Sequence, residues 1–109
     1  MSATIEHGEL FAALSDPTRR RVLDILAARG EASATKIAAE LPVSRPAVVK
    51  HLGVLERAEL VHSRQQGREV LFSVRPEPLD SAARWLARVA TEWDRRLAAL
   101  KRLAEEGRT

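Results

Sequence analysis

Cysteine is absent from all 109 residues, which excludes disulfides, thiolate metal sites and cysteine nucleophiles. No stretch approaches the roughly 20 apolar residues that a membrane helix needs. The opening MSATIEHGEL has neither the basic segment nor the apolar run of a secretion signal. A cytoplasmic protein with no membrane partner is therefore expected. The five glycines are dispersed, and none forms a phosphate-cradling loop. Tyrosine is missing too, and the aromatics are two tryptophans and two phenylalanines.

What the sequence does contain is a globular balance, 45% apolar and 30% charged residues. Its length closes one modest core and gains from a partner. The formal net charge is +3, and its placement matters more than its size. Residues 15–75 hold eleven Lys/Arg against seven Asp/Glu. Residues 1–14 hold two acids and no base, and residues 76–109 hold seven bases against six acids. A basic middle segment suits a polyanionic partner, although ordinary solvated surfaces share that composition.

One domain over residues 1–109 is expected, beginning with a short helix over residues 8–14. In SDPTRRRVLDILAARG, Asp16 caps a helix that starts with Pro17 and stops at Gly30, with Val22, Leu23, Ile25 and Leu26 on its apolar face. ATKIAAE, residues 34–40, reads as a second short helix with Ile37 and Leu41 inward, and LPV breaks it. Ser44 then caps a third helix whose first turn accommodates Pro46. Residues 34–57 thus have helix-turn-helix spacing.

A change of period follows. LVHSRQ and REVLFSV read as strands of a hairpin within residues 60–74, with Gln66-Gly67 as the turn and Val70, Phe72 and Val74 alternating on one face. Pro76 and Pro78 interrupt, and residues 79–105 form a long helix. Leu86, Trp93 and Leu100 recur there every seven residues, with Val89, Leu97 and Ala104 between them, close to a heptad seam.

On a helical wheel, Ala47, Val48, His51, Leu52, Val54 and Leu55 share one side of the helix capped by Ser44. Arg45, Pro46, Val49, Lys50, Gly53 and Arg57 share the other. That second face suits more than water. A helix N-terminus favours a phosphate, and Ser44, Arg45 and Lys50 lie near it. The hairpin carries Arg64, Gln65, Gln66 and Arg68 around its tip, within reach of a second backbone or groove contact.

LSDPTRRRVLDIL, LPVSRPAVVKHLGVLERAELV and QQGREVLFSV, taken in this order and spacing, resemble the ArsR-type family of bacterial winged-helix repressors. The resemblance runs from about Leu10 to Trp93. It implies a mostly α fold with a small β-hairpin wing, a winged helix-turn-helix. It also implies a homodimer placing paired recognition helices in adjacent major grooves of double-stranded DNA, with wings at the flanks. By that resemblance, DNA contact falls to Ser44, Arg45, Pro46, Val49, Lys50 and His51, and in the wing to Arg64 and Arg68. The chain departs from the family pattern at Val49, usually small and polar, at Gly53, often basic, and in a wing strand without tyrosine.

Many such relatives sense metals through cysteines on the helix before the turn, or through histidines and carboxylates on the last helix. Here ATKIAAE has no cysteine and residues 79–109 have no histidine. The EHGE pattern (Glu6, His7, Glu9) is a poor chelate, so no metal and no cofactor are expected. Ser44, His51 and Asp16 make no convincing triad, since the serine and the aspartate are better explained as caps. No enzyme is expected. A small domain does not need so long a last helix to cover its own core. Leu86, Val89, Trp93, Leu97 and Leu100, with Leu10, Phe11 and Leu14 of the first helix, are expected to meet a second copy. The rivals are a winged-helix module whose basic face binds an acidic protein, and a repressor answering to a small organic ligand near Trp85 and Trp93.

Overall fold

Each of the three central helices starts where a side chain takes up N–H groups that a first turn leaves unpaired. The computed structural model describes residues 3–107, with side chains from His7 onward, so the Glu6 side chain of EHGE lies outside the described residues. The order is α1 (Ala3–Leu14), α2 (Pro17–Arg29), α3 (Ala34–Ala39), α4 (Arg45–Arg57), β1 (Val61–Gln66), β2 (Glu69–Val74) and α5 (Pro76–Glu106). One compact unit runs to Leu79, and a second begins at Asp80 within α5.

Asp16 caps α2, its carboxylate accepting from the N–H groups of Thr18 at 2.7 Å and Arg19 at 3.2 Å. Gly30 closes the helix at φ 83°, donating its N–H to the Leu26 carbonyl at 2.8 Å. Ser33 caps α3 through Lys36 N–H and Ser44 caps α4 through Ala47 N–H. The end of α4 is less expected. Glu59 adopts φ 61°, a left-handed position that usually goes to glycine. There Leu60 N–H reaches the Leu55 carbonyl at 2.9 Å and Glu59 N–H reaches that of Glu56 at 3.0 Å, the paired bonds of a Schellman ending.

The core of the first unit is the meeting of α2, α3 and α4 with the start of β1. Val22, Leu26, Ile37, Val48, Leu52, Leu55, Leu60 and Val61 are all less than 2% exposed. Two boundaries differ from expectation. The first helix begins at Ala3 rather than at residue 8, and its inward face runs His7, Leu10, Ala13. A histidine in the buried row hid the period. The last helix begins at Pro76 rather than at residue 79. Pro76 and Pro78 occupy its first turn, where the missing N–H groups have no partner to lose.

β1 and β2 pair antiparallel from Val61↔Val74 to Gln66↔Glu69. The turn is therefore Gly67-Arg68, one residue later than expected. Gly67 sits at φ 62°, at the first turn position, where a tight hairpin of this kind requires glycine. Ala32 adds a third, single-residue rung against Phe72.

The second unit is the body of α5. Leu86, Trp93, Leu97, Leu100 and Leu103 remain 48–64% exposed along it. Among the described residues, no helix is long and apolar enough to cross a membrane.

Candidate nucleic-acid interface

α4 is two-faced as its sequence implies. Val48, Leu52 and Leu55 are buried, while Arg45, Pro46, Val49, Lys50 and Arg57 are exposed. The inner face fixes the helix in the core, and so holds the outer face at a set angle to solvent. Ser44 is exposed and spends its hydroxyl on the cap, accepting from Ala47 N–H at 3.3 Å. A Cβ at Gly53 would meet only the far end of the Arg57 side chain, at 3.6 Å, so the middle of the outer face is low and open.

Arg45 has a partner that the sequence reading missed. Its Nε donates to Thr35 Oγ1 on α3 at 3.1 Å, which fixes one edge of the guanidinium against the preceding helix. Arg45 and Val49 form one side of a groove of about 330 Å³, together with Ala34 and Thr35. Arg68, Val70 and Phe72 of the wing form the other side. The expected residues Arg45, Val49 and Arg68 are thus brought together across one cleft, with Pro46 and Lys50 exposed on the same helix. Val49 and Val70 are 46% and 41% exposed, apolar surface of the kind that meets a thymine methyl.

Two expected residues stand apart. His51 is half-buried, on the side of α4 near Asp16. The hydrogen bond from Arg19 N–H is the main influence holding the Asp16 carboxyl below its usual range, and the His51 charge acts in the same direction. Arg64 does not lie at the hairpin tip. It sits within β1 opposite Leu71, and its guanidinium grips Glu31. Nε donates to Glu31 Oε2 at 2.9 Å, and Nη2 donates both to Glu31 Oε1 and to Gln66 Oε1. These bonds, led by the hydrogen bond itself, lower the Glu31 carboxyl and raise the Arg64 guanidinium. No local spacing points to this pair, because 33 residues separate its members.

The basic run Arg19-Arg20-Arg21 is partly spent inside the chain as well. Arg19 Nε donates to the Ala13 carbonyl at 2.6 Å and Arg20 Nη1 to that of Leu14 at 2.7 Å, so both cap the end of α1. Arg29 pairs with Glu40. Lys50 and Arg68 are exposed and enter no ion pair among the described residues. No group of three or more histidine, aspartate or glutamate side chains is gathered as a metal ion would need, again among the described residues.

Of the residues expected at a dimer interface, Leu10 is buried within the chain and Leu14 and Val89 are half-buried. Phe11, Leu86, Trp93, Leu97 and Leu100 are exposed. Arg96 lies over the Trp93 ring, 5.3 Å from its centroid.

A helix-turn-helix domain family profile matches residues 14–64. The transcriptional repressor SdpR of Bacillus subtilis is 32% identical over 85 residues, covering 78% of this chain and 93% of the repressor. An ArsR-like transcriptional regulator from Rhodococcus sp. RHA1 superposes with a TM-score of 0.83 at 46% identity, over 93% of this chain and 94% of its own. A homodimeric winged helix-turn-helix DNA-binding domain from Mycobacterium bovis shares the fold, with a TM-score of 0.63 at 24% identity over 86% and 83% of the two chains.

Proposed function

The chain belongs to the ArsR family of winged helix-turn-helix transcriptional regulators, and on that premise we propose that it is a homodimeric repressor reading a palindromic operator without a metal signal. The observation that carries the reading is the outer face of α4. Its inner face is locked in the core, while Arg45, Val49 and Lys50 face solvent beside a wing that presents Arg68. An α-helix of this kind fits the major groove of B-form DNA.

Within that reading the roles divide by chemistry. Arg45, in the first turn of α4, contacts base edges, since that is the part of a recognition helix that meets them. Val49 contacts a thymine methyl. Lys50 and Arg68 contact phosphates, which position the protein and carry no sequence information. Ser44 and Pro46 shape the helix start at the backbone, and His51 supports the helix from its inner side. Glu31 has taken the Arg64 guanidinium, so Arg64 acts within the wing.

The exposed leucines and Trp93 on α5 form a surface that meets a second copy, and Phe11 on α1 is a separate exposed apolar contact for it. Support comes from their exposure in the single chain and from the homodimeric M. bovis domain of the same fold. A two-fold dimer presents two identical α4 helices, and a palindromic site mirrors that symmetry. Repression is supported by the relation to SdpR, a repressor. Regulation without metal is supported by a sequence with no cysteine and a last helix with no histidine.

Selection of bound duplexes from a random-sequence pool tests the proposal. The expected outcome is enrichment of one inverted repeat, with half-sites about one helical turn apart. Binding to acidic proteins with no enrichment of any DNA sequence would replace this reading with the protein-interaction module.

A further inference from the structure

The hairpin is held at its base and along β2, and its outer strand is open. Beyond Val61 every residue of β1 is exposed, and a two-stranded hairpin is marginal by itself, so its far strand depends on what ties it to the rest of the chain. One attachment to the helix-turn-helix is the Ser63 hydroxyl, which donates to Glu56 of α4 at 3.1 Å; another is the short segment between α2 and α3. Ala32 N–H donates to the Phe72 carbonyl at 3.1 Å, and Phe72 N–H donates to the Ala32 carbonyl at 2.9 Å. These two bonds hold β2, the near strand, and by themselves leave a hinge along it. The neighbouring residue, Glu31, reaches the far strand. Both its carboxylate oxygens engage Arg64 of β1, at Nε and Nη2, and Nη2 also bonds Gln66 beside the turn. Two-point pairing of this kind fixes direction as well as distance.

We propose that Glu31 and Arg64 form a clamp that sets the pose of the wing against the helix-turn-helix, so that the phosphate contact of Arg68 depends on a residue that never touches DNA. This rests on the DNA-binding reading above. Glu31 is then a positioning residue acting through Arg64, and Arg64 is a strut within the wing. The clamp carries an unusual sign. Removing a negative charge from a surface that meets phosphate strengthens binding by Coulomb attraction alone. The clamp requires the opposite, because without it the wing tip loses its pose.

The test uses the full chain, in solution and on a mixed-sequence DNA duplex. Glu31→Gln keeps the side-chain size and loses the charge. In the DNA-free protein, amide exchange at Ala32 and Phe72 should quicken about five-fold in E31Q and in R64Q alike, with the amides of α2 and α4 unmoved. Affinity for the duplex should fall by a similar factor, about five-fold, in E31Q. The loss should vanish when Arg68 is already alanine, which a general loss of stability would not produce. The exchanged pair E31R/R64E, with the same net charge, should recover most of both effects. Unchanged wing exchange, or an E31Q protein that binds the duplex as tightly as the wild type or more tightly, overturns the clamp. A wild-type protein that ignores DNA while its wing exchange responds as described overturns the DNA-binding reading instead, and with it the clamp's consequence for Arg68.

Discussion

Replacing Trp93 with alanine separates the fold of one chain from the assembly of two. A tryptophan presents up to roughly 250 Å² of buriable surface, and in the single chain 55% of Trp93 is still exposed. Only that exposed part is available for a partner to cover, roughly 140 Å². At about 25 cal/mol per Å² the covered tryptophan contributes about 3 kcal/mol, an upper figure because alanine retains some contact. Its stacking under Arg96, 5.3 Å from the ring centroid, adds about 0.5–1 kcal/mol at an exposed site and is not a dimer term. A two-fold interface loses the same residue from both sides. The dimer dissociation constant should therefore rise by up to about four decades, at roughly 1.4 kcal/mol per decade. Sedimentation over a concentration series reads this directly. The wild type should be a dimer at micromolar concentration and W93A largely monomeric, with helical content retained because Trp93 is not part of the chain's own core. A wild-type monomer, or a W93A dimer of unaltered dissociation constant, would rule out Trp93 as an anchor between two copies.

Three further outcomes are expected. Arg68→Ala should weaken binding almost evenly across DNA sequences and lower the salt slope by about one unit, read by titrating binding against salt; an unchanged slope with altered base preference would assign Arg68 to base readout. Ser44→Ala removes the bond to Ala47 N–H and should destabilise the fold by about 1 kcal/mol in denaturant unfolding, and a loss of DNA affinity with full stability would show that the hydroxyl serves DNA rather than the cap. Micromolar zinc, cadmium or arsenite should leave operator binding unchanged in a mobility assay, and stoichiometric zinc that releases the DNA would contradict the metal-free reading.

The parts of this fold written in short-range chemistry were legible in the sequence. Asp16-Pro17, Ser44 and Gly30 mark helix ends because a cap acts within three or four residues. The inward and outward faces of α4 follow from its period, and Val48, Leu52 and Leu55 are buried as that period requires. Long-range pairing left no such mark. Glu31 and Arg64 are 33 residues apart, and Thr35 meets Arg45 across a turn. Neither pair has a helical or strand spacing to betray it, so Arg64 reads as a cation at the tip when it lies within β1, paired with Glu31. The proline pair in the first turn of α5 misled for another reason. Proline excludes helix interiors yet suits first turns, and sequence alone does not say which side of the boundary it marks. Glu59 in a left-handed ending is a similar case, where core closure overrides local preference.

The proposed function turns on the outer face of α4 reading base edges. Arg45 is its sharpest element, held at Nε by Thr35 and exposed on the outer face of α4. A guanidinium that bonds guanine O6 and N7 together discriminates by about 1–3 kcal/mol. The decisive measurement is the affinity of the wild type and of Arg45→Ala for every single-base variant of the selected operator. The wild type should show strong preferences at symmetric positions, and the substitution should flatten one symmetric pair of them by that amount. A wild type that binds all variants alike, or an Arg45→Ala protein that keeps every preference and merely binds more weakly, would contradict the claim.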